Sequence, residues 1–388
     1  MIIKELIKFK NKLKLKRLEL HTPFFANNDI KYLTKCINST FVSTQSGLYI
    51  QKFKSKLLSI TKSKYIILLN SGSSGIYLGL RSLNVKKNEE VLMPTLNYIA
   101  NANAVKSLNA IPHFIDSEFD SLGIDIKKLK LYLKKNFKIS KKKTINIKSK
   151  NTVSCLIATH IFGASCNIDE LTKLCRRYNI KLLEDASEAL GSQYRGKHLG
   201  TYGDIGILSF NGNKIITSGA GGALMTNSLN IYQKANHLSQ NAKISHKWKY
   251  EYNDLGYNIK MPNLNAALGL AQIERLKKYI ISKKKLFKMY NKIFLKNERF
   301  KILNPPKNLS WNYWLITILL KTENINSRDK IISKLNKEGI NARPIWQLNH
   351  KINIYRKCPK MNLSNAEKLE KKIINLPSSA HLLFNEKK

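Results

Sequence analysis

Ser209-Phe210-Asn211-Gly212-Asn213-Lys214, with Gly219-Ala220-Gly221-Gly222 shortly after it, is the stretch on which the fold reading turns. The apolar run Ile205–Phe210 reads as a strand, and the small residues behind it as a loop that lets Lys214 approach a bound group closely. Upstream, Ile180–Glu184 is another apolar strand and ends in Glu184-Asp185-Ala186-Ser187-Glu188. A lysine and an aspartate at two strand ends are what pyridoxal phosphate (PLP) chemistry requires. The lysine carries the cofactor as a Schiff base, and the aspartate keeps the pyridine nitrogen protonated. Among 68 Lys and Arg residues a lysine means nothing by itself. Its context carries the reading: a strand end, Ser209 five residues earlier as a phosphate ligand, and glycines after it.

Outward from this stretch, strand and helix patterns alternate. Tyr65–Asn70, Glu90–Met93, Ile111–Asp116, Val153–Thr159 and Ala223–Thr226 read as strands. Asn28–Asn38, Ser74–Leu83, Asn97–Leu108, Asp125–Leu133 and Ile168–Tyr178 read as helices. This is the βαβ grammar of an α/β fold with a mostly parallel, doubly wound sheet. Residues 1–20 read as a basic amphipathic helix that packs its apolar side on the body. Residues 134–151, rich in Lys, Asn and Ser without periodicity, read as an exposed loop within a large domain spanning 21–275. A long helix from Asn265 to about Phe294 leads into a smaller C-terminal α+β domain, 276–388, with elements at Trp314–Leu320, Ser327–Leu335, Ile340–Arg343 and Ala366–Ile374.

Composition narrows the classes. The chain is long enough for one large and one small domain, and 43% hydrophobic residues suffice for a core. No apolar run reaches the length of a membrane span, and the N-terminus lacks a secretory pattern, so a cytoplasmic location is expected. The five cysteines are scattered without a CxxC, which favours idle thiols over a metal site or disulfides. The net charge of +43 admits a polyanion partner. The lysines, however, are spread along the whole chain without arginine-and-aromatic clustering, so compositional drift is the expectation, with no specific nucleic-acid partner.

Other residues near strand ends are candidates of lesser weight. Asn70-Ser71-Gly72-Ser73-Ser74-Gly75 joins a strand to a helix and suits a phosphate on a small cofactor, although such turns often use Ser and Gly for geometry alone. Tyr98 stands at the next strand-to-helix junction, where an aromatic can stack on a flat ring; taken alone, a core tyrosine is the better reading. Asp185, emerging from an apolar strand, needs a partner such as a pyridinium N–H. Glu184 reads equally well as a structural cap. Glu188 can face the cofactor's phenolic oxygen or the donor site, or simply open a helix.

Together these residues resemble the sugar-nucleotide aminotransferases of the DegT/StrS family, PLP enzymes of the aspartate-aminotransferase fold (PLP-transferase type I). The likeness runs from about Thr22 onward and includes NSGSSGI (70–76), EVLMPTLNYIANANAV (90–105), HIFGASCNIDEL (160–171), LLEDASEALGSQYRGKHLGTYGDIGILSFNGNKIITSGAGG (182–222) and GYNIKMPNLNAALGLAQIERL (256–276). It implies Lys214 as the Schiff-base lysine, Asp185 as the pyridine partner, Tyr98 as the stacking aromatic, and Ser209, Ser73 and Ser74 as phosphate ligands. Glu188 stands where many relatives carry glutamine, and Lys260 where arginine is usual. Asn258 matches a residue that reaches the neighbouring subunit's phosphate, which implies a homodimer with shared active sites. Family dehydratases carry histidine in place of Lys214. NSTFVSTQSGLYIQKF (38–53), NGNK, ARPIWQLNH (342–350) and NLPSS (375–379) resemble a narrower, LegC-like group that aminates UDP-linked 4-keto-6-deoxy-N-acetylhexosamines for nonulosonic acid or bacillosamine-type surface sugars. The implied reaction moves an amino group from glutamate to the sugar's C4. Amination at C3, a dTDP- or GDP-linked sugar, or an inactive polyanion-binding scaffold are the other readings.

Overall fold

A computed structural model describes residues 2–43, 47–295 and 297–384. Part of the 38–53 stretch quoted above and the last residues of the 276–388 span lie outside them.

The central sheet runs, edge to edge, through strands Tyr65–Leu69, Gly222–Thr226, Ile205–Ser209, Lys181–Asp185, Thr152–Thr159, Glu90–Pro94 and Ile111–Ile115. Gly222–Thr226 is antiparallel to both neighbours, and the other pairs on this path are parallel. The sheet is buried on both faces, which explains why its strands read as continuous apolar runs. Register decides where the chemistry falls. Ile207 lies opposite Asp185, so the carboxylate, Ser209 and the turn carrying Lys214 all emerge at the same carboxyl edge. Ligands of open α/β sheets bind at that edge.

Residues 134–151 differ from the expected loop. Phe137–Ser140 and Lys143–Asn146 form an antiparallel hairpin that pairs with the start of Thr152–Thr159. The reason is a buried carboxylate. Glu90 is fully buried and accepts from Asn146 Nδ2 at 2.9 Å, from the Ser149 hydroxyl, and from His113 Nδ1 at 2.7 Å. Without the hairpin and the turn behind it this carboxylate would keep His113 but lose Asn146 and Ser149, and an incompletely paired buried charge is costly.

The expected helix 265–294 is two helices, Asn263–Ile273 and Leu276–Phe294. At the break Arg275 adopts φ −98°, ψ 0° and turns its guanidinium to the buried Asp29 of helix Asn27–Asn38, which also receives Gln272 Nε2 at 2.9 Å. Beyond the break, Phe300–Ile302, Ile316–Leu320, Ile373–Leu376 and Arg343–Pro344 form a four-stranded antiparallel sheet. A small sheet stitches it to the large one: Leu309–Ser310 pairs with Gln193–Tyr194. The N-terminal helix, Ile2–Lys12, buries Leu6 and Phe9, with the Phe9 ring 5.6 Å from that of Tyr290. The chain behind it pairs Leu18 with Ile340, so the N-terminal segment is attached to the chain just ahead of strand Arg343–Pro344.

Candidate active site

Lys214 sits in a tight turn after strand Ile205–Ser209, its backbone N–H donating to Asn211 O at 3.0 Å. Its side chain is 14% exposed and lines a cavity of about 330 Å³. Nζ stands 3.2 Å from Glu188 Oε1 and 4.2 Å from the centre of the Trp314 ring. Glu188 Oε2 accepts from the backbone N–H of Phe162 at 2.8 Å. Burial raises the Glu188 carboxyl above its ordinary range, with Lys214 and Phe162 pulling the other way. Phe162 reaches it from a left-handed backbone, φ 55°, a conformation that costs an L-residue roughly 1–2 kcal/mol.

Asp185 ends its strand in the same cavity, 7% exposed. Its Oδ2 accepts from Asn101 Nδ2 at 2.8 Å and its Oδ1 from the Ser187 N–H at 3.2 Å. Asn101 Nδ2 is also 3.0 Å from Asn97 Oδ1. That leaves Asn97 Nδ2 as the one buried side-chain atom of the cavity lining without a hydrogen-bond partner among the described residues.

The opposite wall is the start of helix Gly72–Ser82. Ser71 caps it, accepting from the Ser74 N–H at 3.0 Å. Its first-turn N–H groups have no partners within the helix. A Cβ on Gly72 would lie 3.0 Å from Ser209 Cβ and 3.3 Å from the hydroxyls of Ser187 and Ser209, so a side chain there would crowd the cradle. Ser73 and Ser209 line the cavity. Ser74 does not: its hydroxyl donates to Asn70 Oδ1 at 2.7 Å and also contacts Ser71 Oγ, so it stabilises the turn.

Tyr98 lines the mouth and is 55% exposed, in contrast to the core tyrosine favoured on its own context. Its ring meets Trp346 edge-on at 6.0 Å. Glu184 faces away from the cavity, into the loop behind the strand. There it accepts from the N–H groups of Gly200, Tyr202 and Gly203 and pairs with His160 Nε2 at 2.8 Å. Burial pushes this carboxyl up, but those bonds outweigh it and hold it below its ordinary value. Glu184 is therefore a structural anchor.

Asn258 is apart from the others. It lies in a separate polar hollow of about 410 Å³ with His237, His246 and Lys260, paired with Gln240. Lys260 donates to Asn236 Oδ1 at 3.0 Å, and burial with Lys54 nearby lowers its ammonium to about 8. Among the described residues, no cluster of His, Cys, Asp or Glu could hold a metal ion. Trp314, Trp346, Asn97 and Asn101 had no assigned role in the sequence reading. The first two belong to NYWL and ARPIW, whose aromatics were the available signal.

The cavity fits PLP. It offers a buried carboxylate for a ring N–H, a free amide donor, a glycine-opened cradle with two serine hydroxyls, an aromatic at the mouth and one enclosed lysine. Comparison with known proteins agrees. Residues 24–387 match the DegT/DnrJ/EryC1/StrS aminotransferase family. The chain is 31% identical to GDP-perosamine synthase of Escherichia coli O157:H7, over 94% of each chain. It is 28% identical to UDP-4-amino-4,6-dideoxy-N-acetyl-beta-L-altrosamine transaminase of Campylobacter jejuni, over 93% of this chain and 92% of that one. Its fold superposes on the PLP-form of a putative sugar aminotransferase from Streptococcus pneumoniae with a TM-score of 0.82 at 21% identity, over 93% of each chain.

Proposed function

The chain belongs to the DegT/DnrJ/EryC1/StrS aminotransferase family, and we propose that it transfers the amino group of glutamate to C4 of a nucleotide-linked 4-keto-6-deoxy-N-acetylhexosamine, with UDP as the nucleotide. Aminotransferases of this family are PLP-dependent and act on nucleotide sugars. The observation that carries the reading for this chain is the lysine of the cavity lining, Lys214, which faces Glu188 in the cavity that also holds Asp185.

Bound there, PLP supplies an electron sink for the pair left when a Cα–H bond breaks. Asp185, fixed by Asn101 and the Ser187 N–H, presents an acceptor to the ring N–H and keeps that nitrogen protonated. Ser73, Ser209 and the first turn of helix Gly72–Ser82 would receive the phosphate. Tyr98, at the mouth, would cover the ring. With PLP bound, Lys214 would be its covalent anchor and, once free, its Nζ would be the base that takes the proton from the donor's Cα. Water would replace the donor nitrogen so that 2-oxoglutarate leaves; with the keto-sugar, water would be lost and Lys214 would move the proton in the opposite direction as the amine goes to the sugar's C4. Glu188 and Trp314 exclude water from Nζ on two sides.

Asn258, outside the cavity of its own chain, fits a homodimer in which it reaches the partner's phosphate. Support for UDP comes from the Campylobacter relative, whose name places the amine on a UDP-linked N-acetyl sugar. A GDP-linked substrate is the second reading, favoured by the greater identity to GDP-perosamine synthase. A panel of UDP-, GDP- and dTDP-linked 4-keto-6-deoxy sugars, assayed with glutamate and read by product NMR, separates them. Amination of the UDP N-acetyl substrate at C4 is expected; exclusive turnover of a GDP sugar would move the assignment to the second reading.

A further inference from the structure

Lys214 Nζ is bracketed by two side chains from different parts of the chain. Glu188 approaches to 3.2 Å from the large sheet, and the Trp314 ring centre lies 4.2 Å away, on the segment entering strand Ile316–Leu320. The indole is fixed on every side. Its Nε1 donates to the carbonyl of Asn213, the residue before Lys214, at 2.8 Å. Its backbone N–H donates to Asn312 Oδ1 at 3.0 Å, while Asn312 Nδ2 donates to the Glu188 carbonyl at 2.8 Å. Its own carbonyl receives Nζ of the buried Lys283 at 3.1 Å. Three residues earlier, Trp311 Nε1 donates to the carbonyl of Phe162, whose N–H holds the Glu188 carboxylate. The 311–314 segment therefore fixes both groups that face the lysine, and one of them is its own ring.

We propose that Trp314 is a positioning residue for Lys214, its ring face receiving the ammonium when that side chain is released from the cofactor. The inference rests on Lys214 being the cofactor lysine. An aromatic face attracts a cation within about 6 Å, and more strongly when water is excluded, as it is for a tryptophan only 3% exposed. When an incoming amine displaces Lys214, the cofactor carbon's bond to Nζ breaks as its bond to the incoming nitrogen forms. Nζ takes up the two protons the incoming ammonium gives up, and hands one to Glu188 Oε1, 3.2 Å away, before it acts as base at the donor's Cα. The ring stabilises this released ammonium and has no comparable hold on the linked nitrogen, so it shifts the exchange toward release.

The test is displacement by methylamine, which carries no carboxylate and so reports the exchange alone. PLP-loaded protein is titrated with methylamine, and the Lys214 label fixed by borohydride is quantified by peptide mapping. Trp314→Leu should lower the displacement constant about tenfold, and Trp314→Phe, which keeps a ring face, by less than about threefold. The dissociation constant of pyridoxine 5′-phosphate, which has the ring and phosphate but no carbonyl to link, should change by less than about twofold in both. An unchanged displacement constant in Trp314→Leu would overturn the proposal. So would a change matched by weaker pyridoxine 5′-phosphate binding, since the ring would then merely shape the cavity. If Trp314→Leu does not fold, substitution of the tryptophans by fluorinated analogues weakens the ring face at constant shape. Displacement should fall with each added fluorine, and a flat response would overturn the proposal equally. Wild-type protein that links PLP at another lysine would instead overturn the reading on which this one rests.

Discussion

The Lys214 cavity and the arm at 240–258 treat their side chains in opposite ways. In the cavity, Asp185, Glu188 and Lys214 are enclosed and partnered, and the buried Asn97 Nδ2 has no partner among the described residues. On the arm, Trp248 and Tyr250 are 74% and 76% exposed, with Tyr252 and Leu255 beside them, on a two-stranded hairpin, Lys243–Ile244 with Glu251–Tyr252. A single chain completes the first region and leaves the second uncovered. Asn258 lies at the foot of the arm, bridged to Gln240 and outside the Lys214 cavity of its own chain.

The largest expected effect falls in the enclosed region. Lys214→Ala should abolish turnover, with the melting temperature as a control for folding; residual activity above about a thousandth of wild type would separate Lys214 from the chemistry. Asp185→Asn removes the charge at nearly constant shape. Its turnover should fall by orders of magnitude, since each ~1.4 kcal/mol of lost stabilisation is about tenfold in rate. Steady-state kinetics that remain near wild type would assign the carboxylate a structural role.

The arm is tested by mixing. Provided Lys214→Ala and Asn258→Ala are each inactive, exchanged heterodimers should recover activity, because one site then combines an intact Lys214 with the other chain's intact Asn258. No recovery despite demonstrated subunit exchange, or an active monomer in sedimentation, would detach the arm from the site.

Much of the enclosed region was legible because its signals are local. The strand ends at Asp185 and Ser209, the glycine-lined turn around Lys214 and the Ser-Gly turn at 70–75 are each encoded within a few residues. What escaped depends on distant partners. The 134–151 hairpin is held by the carboxylate of Glu90, and the helix break at Arg275 by Asp29 near the start of the chain. Trp314 reaches Lys214 across 100 positions, so no window around either residue shows the pair. Ser73 and Ser74 could not be told apart for a local reason: two adjacent serines fit the same turn pattern, and the Asn70 bond holds the Ser74 hydroxyl in the turn while Ser73 lines the cavity.

The smallest effect concerns stability alone. His198 is buried, with Nε2 accepting from the Gly191 N–H at 2.9 Å, and burial lowers its imidazole from 6.5 to about 4. Between those values the unfolded chain takes up a proton that the folded chain refuses. Stability should therefore decline as pH falls from about 6.5 to 4, by up to about 1.4 kcal/mol per unit from this group, and the contribution is flat above that window. Denaturant midpoints for His198→Gln should show a shallower acid limb; an unchanged slope would remove His198 from the account.

The central claim, that the cavity around Lys214 carries out amino transfer, is tested most directly by borohydride reduction of PLP-loaded wild-type protein before and after glutamate. The account predicts a stable label on Lys214 alone before glutamate, and its loss after glutamate with release of one equivalent of 2-oxoglutarate per site. A label on a different lysine, or a Lys214 label that glutamate leaves untouched while no 2-oxoglutarate appears, would contradict it.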